Sequence, residues 1–217
     1  MRILVYMDIL TVASQKGGAG KTTLSAHLAV EAERGGSGPV AIVDTDPQGS
    51  LADWWNQRRA ETPIFASVEV ARLAAHMAEL RQQRVNLVVI DTPPALLQTI
   101  RAAILVADLV LIPARPSPHD LRAVGVVVEM AEQARKGFCF VVNGATPRTT
   151  IALEAVQALA QHGPVAPVIV HQRIDFAGSM VDGRTVSEVT PPSRSADEIA
   201  QLWKYVHKQI RKYGRSR

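Results

Sequence analysis

The stretch SQKGGAGKTTL, Ser14 to Leu24, places two lysines and three glycines within eleven residues. A phosphate-binding loop of the pattern G-x-x-x-x-G-K-[ST] wants glycine at position 15, where Gln15 stands. The context is nonetheless that of such a loop. The apolar run DILTVAS (8–14) before it reads as a buried strand. The segment KTTLSAHLAVEAERG after it reads as a helix with Leu24, Leu28 and Ala32 on one face and Gly35-Gly36 as its stop. Gly17, Gly18 and Gly20, with Ala19 between them, let backbone N–H groups converge on an anion, and the helix N-terminus adds its positive end. In that reading Lys21 reaches the terminal phosphates, Thr22 sets its hydroxyl on Mg²⁺, and Thr23 contacts the inner phosphate.

Outward from the loop, short Val/Ile/Leu runs alternate with helical patterns. PVAIVDTD, NLVVIDTPP, DLVLIPARP and GFCFVVNGA read as strands, with PIFASVEV a further candidate and VAPVIVHQRI closing the series. GSLADWWNQRRAE, ending in Arg58 and Arg59, reads as a helix, as do ARLAAHMAELRQQR, LLQTIRAAILVA, PHDLRAVGVVVEMAEQAR and TIALEAVQALAQHG. Buried strands alternating with helices predict an α/β fold, a doubly wound and mostly parallel sheet covered on both faces. The 217 residues fit one domain, with 195–217 a basic terminal helix and tail. Ser195 and Glu198 fit a capping box at its start.

Three motifs together carry a family resemblance. KGGAGKTT resembles the deviant Walker A loop of the ParA/MinD ATPases, whose signature is the first lysine. VDTDPQGS resembles their switch I, and LVVIDTPP their Walker B and switch II. The resemblance implies a Mg²⁺-dependent ATPase in which Lys16 crosses a dimer interface to the partner's ATP, so that neither half-site is complete alone. It implies that Asp46 positions the attacking water, that Asp44 lies near Mg²⁺, and that Asp91 holds Mg²⁺ through water. Asn143 resembles the family's base-contacting asparagine. IPARPSPHDLRAVG and VHQRIDFAGSMVDGRTVSE resemble segments of the small, ParF-like plasmid-partition branch. That branch implies ATP-dependent homodimers, possible higher polymers, nonspecific duplex DNA and a ParB-like centromere-binding partner. Positioning of a protein cargo on the nucleoid, or a MinD-like membrane role, are alternatives. A small-acid P-loop enzyme is disfavoured by Lys16 and DTDPQG.

Composition bounds the rest. One cysteine, Cys139, excludes an intrachain disulfide and four-cysteine metal sites. No apolar run reaches the ~18–20 residues of a spanning helix, and MRILVYMDIL is too short and interrupted for a signal peptide. A cytoplasmic, nucleoid-associated protein is expected. The residues before Asp8 are too few for a helix-turn-helix, so no operator recognition is expected. The net charge of +4 is uneven: from Trp203 onward there are six Lys/Arg and no acid. Ile199, Leu202, Val206, Ile210 and Tyr213 step along one face of this helix. Lys204, Lys208, Arg211 and Arg215, with Lys212 beside them, form a stripe suited to duplex phosphates. Arg173 and Arg184 are candidates to extend it. Trp54 and Trp55 read as packing residues.

Overall fold

A computed structural model describes residues 6–189 and 191–214. Its centre is a seven-stranded, all-parallel sheet in the order β3-β2-β4-β1-β5-β6-β7. The strands are β1 (Asp8–Val12), β2 (Val40–Asp44), β3 (Ile64–Phe65), β4 (Leu87–Asp91), β5 (Leu109–Ala114), β6 (Gly137–Ala145) and β7 (Val170–His171). The helices are α1 (Lys21–Ala32), α2 (Ser50–Asn56), α3 (Leu73–Gln82), α4 (Leu97–Val106), α5 (Pro118–Gln133), α6 (Ile151–Ala160), α7 (Ile174–Met180), α8 (Val186–Val189) and α9 (Arg194–Gly214).

The period-two alternation of the strands assigns the two faces. Leu10, Val12, Ile42, Val89, Leu111 and Val141 point to one side, where α1 and α9 cover them with Leu24, Leu28, Ile199, Leu202, Val206 and Ile210. Ile9, Val43, Ile90, Val110, Ile112 and Val142 point to the other, under α3, α4, α5 and α6. This is the expected doubly wound α/β fold. Cys139 is fully buried within the first layer.

Several elements are shorter than their patterns suggest. β7 keeps two residues because Pro164 and Pro167 remove N–H donors upstream, leaving one isolated pairing of Val165 with Phe140. Of PIFASVEV only Ile64–Phe65 pairs with β2. α2 stops at Asn56 rather than reaching Arg58 and Arg59, and the Arg58 guanidinium instead binds Gly183 O and Glu188. Past α1 the chain widens into a π-turn over Glu33–Ser37, where Gly36 has φ 78°, so the expected glycine stop holds.

The expected capping box is a correction. Ser193, not Ser195, caps α9, accepting from the Ala196 N–H at 3.2 Å. Ser195 is buried and donates to Asp175, while Glu198 faces β7, where it takes hydrogen bonds from the Arg173 guanidinium and from the His171 backbone N–H and contacts the His171 ring. The pattern S-x-x-E was present, but both side chains are drawn into tertiary contacts.

Candidate nucleotide-binding site

The sequence-predicted residues converge at the carboxyl ends of β1, β2, β4 and β6, where open α/β sheets bind ligands. The loop from Ala13 to Gly20 joins β1 to α1. Gly20 closes it at φ 89°, and a methyl group there would collide with the Asn143 amide. Asn143 Nδ2 donates to Ala19 O at 2.7 Å, tying the end of β6 to the loop. Lys21 is buried, and its ammonium donates to Lys16 O at 3.0 Å. Burial lowers its pKa, opposed by the charges of Asp91 and Asp46.

Asp91 ends β4 only 1% exposed. Thr22 Oγ1 donates to it at 2.6 Å and Ser25 Oγ at 3.1 Å. Burial pushes its carboxyl up to about 7, and the nearby Asp44 adds to this. The Thr22 and Ser25 bonds and the Lys21 charge oppose it. A buried carboxylate beside a hydroxyl is an all-oxygen donor set suited to a hard cation such as Mg²⁺, which takes its remaining ligands from water and phosphate. Ser25 was not anticipated. Its spacing of three from Thr22 on α1 is the signal that would have found it.

Asp44 ends β2 in register with Asp91. Its two oxygens accept backbone N–H groups of Asp46, Leu51 and Ala52, so it anchors the start of α2. Its carboxyl is raised by burial, with those N–H bonds opposing. Asp46 is half-buried two residues past β2 and accepts from Gln48 N at 3.0 Å. Thr45 Oγ1 donates to Asp91 O at 2.6 Å, stitching the two strand ends together.

Lys16, Gly17 and Gly18 are exposed at the crest of the loop. Among the described residues the Lys16 ammonium has no hydrogen-bond or salt-bridge partner. Beside the loop lies a cleft of about 270 Å³, lined by Gly18, Gly20, Thr23, Arg115, Asn143 and Phe176.

A phosphate-loop site with these strand-end carboxylates has a known family. The model of the CobQ/CobB/MinD/ParA nucleotide-binding domain matches residues 10–186. The chain belongs to this ParA/MinD family. It therefore carries the family's nucleotide-binding ATPase fold. The chain is 33% identical over 203 residues to maintenance of carboxysome distribution protein A of Halothiobacillus neapolitanus, covering 89% of this chain and 93% of that one. It is 25% identical to the chromosome-partitioning ATPase Soj of Thermus thermophilus, covering 89% and 92%. Its backbone superposes on apo McdA of Cyanothece with TM-score 0.78 at 17% identity, covering 93% of this chain and all of that one.

The predicted basic stripe lies on α9. Lys204, Lys208, Arg211 and Lys212 are all exposed, opposite the buried Ile199, Leu202, Val206 and Ile210. Arg215 lies outside the described residues. The α9 start reaches β7 through Glu198, beside the nucleotide cleft, while its end reaches Tyr213 against Gly137 at the start of β6. The stripe thus occupies the other end of the sheet from the loop. Arg173 and Arg184 are engaged by Glu198 and Asp182 respectively, which partly neutralises both as candidate extensions. Trp54 and Trp55 pack as expected, their Nε1 groups donating to Arg184 O and Pro63 O. No helix among the described residues is long and apolar enough to cross a membrane.

Proposed function

We propose that this protein is an ATP-driven positioning ATPase. ATP joins two copies through their loops, the joined pair holds nonspecific DNA, and hydrolysis releases it. The single observation that carries the reading is Lys16: it is exposed on the crest of a phosphate loop, and its ammonium has no hydrogen-bond or salt-bridge partner among the described residues. Lys21 performs the ordinary in-chain role, leaving Lys16 for a phosphate held by the other copy. A second cation at the terminal phosphate offsets the charge that develops during transfer.

In this reading Lys21, the loop N–H groups from Gly17 to Thr22 and Thr23 hold the phosphates. Thr22 and Asp91 hold Mg²⁺, with Asp44 beside them, and Asn143 faces the base. Bound Mg²⁺ supplies charge neutralisation at the phosphates. Asp46 orients the attacking water. Lys204, Lys208, Arg211, Lys212 and Arg215 contact DNA phosphates without reading sequence.

For cargo, we favour a protein assembly placed along the nucleoid, with a dedicated adaptor protein. A relative aligned over nearly its whole length at 33% identity, against 25% for Soj, is named for carboxysome distribution. The likeness to Soj supports a second reading, in which a DNA-bound, ParB-like protein is the partner and a plasmid or chromosome is the cargo.

The test is binding to random-sequence duplex DNA with ATP, ADP or no nucleotide, with and without Mg²⁺, across a salt series. Binding that needs ATP, Mg²⁺ and Lys16, and that fades with salt, supports the reading. Binding indifferent to nucleotide, or none in any state, overturns it. Fluorescent tagging in the native cell decides the cargo: deletion of the gene should scatter or cluster a protein assembly while plasmid inheritance is unchanged. Plasmid loss with protein bodies normally spaced would reverse that choice.

A further inference from the structure

One cation at the site has no part in the scheme above. Arg115 leaves the end of β5 and lies along the cleft. Its Nε and Cγ pass 3.6 and 3.7 Å from the point where a side chain at Gly144 would begin. Its head then covers the phosphate loop: Cζ, Nη1 and Nη2 lie 3.7–3.8 Å from the equivalent point at Gly18. Three atoms of a planar group at nearly one distance mean that the plane faces the loop. Both neighbours are glycines, and the arginine lies flush against the backbone at each, at ordinary van der Waals distance from where a side chain would begin.

The Arg115 guanidinium is exposed and, among the described residues, makes no hydrogen bond or ion pair through its side chain. Five N–H donors in a fixed fork are therefore available beside a loop whose own N–H groups converge on an anion. Its place along the loop narrows the target. Thr22, Lys21, Asp46 and Asp91 mark the flank of the terminal phosphate and the metal. Arg115 shares its cleft instead with Gly20, Thr23 and Asn143, on the other flank.

We propose that Arg115 is a phosphate-binding residue acting within its own chain, gripping the diphosphate portion that ATP and ADP have in common. The proposal rests on the nucleotide reading of this site and adds a ligand to it. A cation placed there holds substrate and product alike, so it slows the departure of ADP rather than speeding the chemical step. It also separates two tasks between two cations: Arg115 retains nucleotide in the single chain, while Lys16 serves the pair.

The experiment is equilibrium binding of ADP and of ATP to the wild type, Arg115→Ala and Arg115→Lys, with steady-state hydrolysis alongside. Arg115→Ala should weaken ADP and ATP alike by about tenfold, equivalent to about 1.4 kcal/mol. Arg115→Lys should recover part of the loss as a point charge without the fork. The rate at saturating ATP should stay within about twofold, because the contact is common to ground state and transition state. The melting temperature without nucleotide should not move, since the side chain is exposed. ADP affinity in Arg115→Ala within twofold of wild type would overturn the proposal, and so would a loss confined to ATP. A wild type that binds neither nucleotide would instead sink the nucleotide reading itself.

Discussion

Asp44 and Asp91 are register partners at the ends of adjacent strands, yet their carboxylates do different work. Asp91 faces the hydroxyls of the loop helix. Asp44 is taken up by three N–H groups, that of Asp46 and those of Leu51 and Ala52 at the start of α2. Two strand-end acids thus divide into one that faces the loop helix and one that anchors the segment after β2. Asp44→Ala should therefore destabilise the nucleotide-free protein by about 2–4 kcal/mol, because charge-assisted bonds are lost and helix-start donors are stranded. Urea unfolding measures it, and an unchanged midpoint would refute the anchoring role.

Asp46, two residues on, accepts one local N–H bond and stands half-exposed. Asp46→Ala should leave stability and ATP binding nearly unchanged while slowing hydrolysis by roughly 10²–10⁴-fold. Single-turnover hydrolysis after ATP loading separates the two. Wild-type turnover would remove Asp46 from the catalytic assignment.

His27, on α1, is fully buried, with Nδ1 on Thr23 O at 2.8 Å and its ring edge-on to Phe176. The carbonyl partner places a proton on Nδ1, and the buried Nε2 has no hydrogen-bond partner among the described residues, which disfavours a second proton there. Burial lowers its pKa to about 4, with the Thr23 bond and the Glu188 charge opposing. The unfolded chain then binds more protons than the folded one between about 6.5 and 4. Stability from this group is complete above pH 6.5 and is lost as pH falls toward 4, up to on the order of 3 kcal/mol. His27→Gln should flatten the pH dependence of unfolding in that window. A slope equal to wild type would assign acid sensitivity elsewhere.

Gly20 has two reasons to be glycine, its φ of 89° and the Asn143 amide where a methyl would go. Gly20→Ala should lower the melting temperature and abolish nucleotide binding together. Asn143→Ala relieves the collision, so adding it to Gly20→Ala should restore part of the stability and not the binding. No recovery in the double variant would leave backbone strain as the whole cause.

On α9 the basic side chains are exposed and the apolar ones are buried, so the two can be separated by substitution. Changing Lys204, Lys208, Arg211 and Lys212 to Gln should leave folding intact. DNA affinity should fall, and its salt dependence should lose about one unit of slope for each phosphate contact removed. Filter binding across a salt series reads both. Unchanged affinity would move the DNA surface away from α9.

Much of this was legible in the sequence because the central strands are unbroken Val/Ile/Leu runs and the loop glycines stand between a strand and a helix. The motif residues Lys21, Thr22, Asp44 and Asp91 come together because each ends a strand or starts a helix at the same edge of the sheet. What was not legible depends on residues far apart in the chain. Ser195 and Glu198 look like a cap but are claimed by Asp175 and by β7. The segment 174–189 carries too short a periodicity to announce α7 and α8, which are held by Phe176, Val186 and the Arg58–Glu188 pair. Arg115 gave no signal, since an arginine after a strand means nothing until Gly18 and Gly144 are seen beneath it.

The location of the α9 stripe has a consequence for how nucleotide could govern DNA binding. Its charges are already open to solvent in the single chain, at the end of the sheet away from the phosphate loop. ATP therefore has nothing to uncover. If two copies join loop to loop, what changes is valency: two weak patches become one tethered pair, and the second engages at an effective concentration set by the first. Such linkage can raise overall affinity by about 10²–10⁴-fold with no new contact. The grip on DNA would then be graded by how many copies are paired at any moment, and each pair that separates would fall back to the weak hold of a single patch.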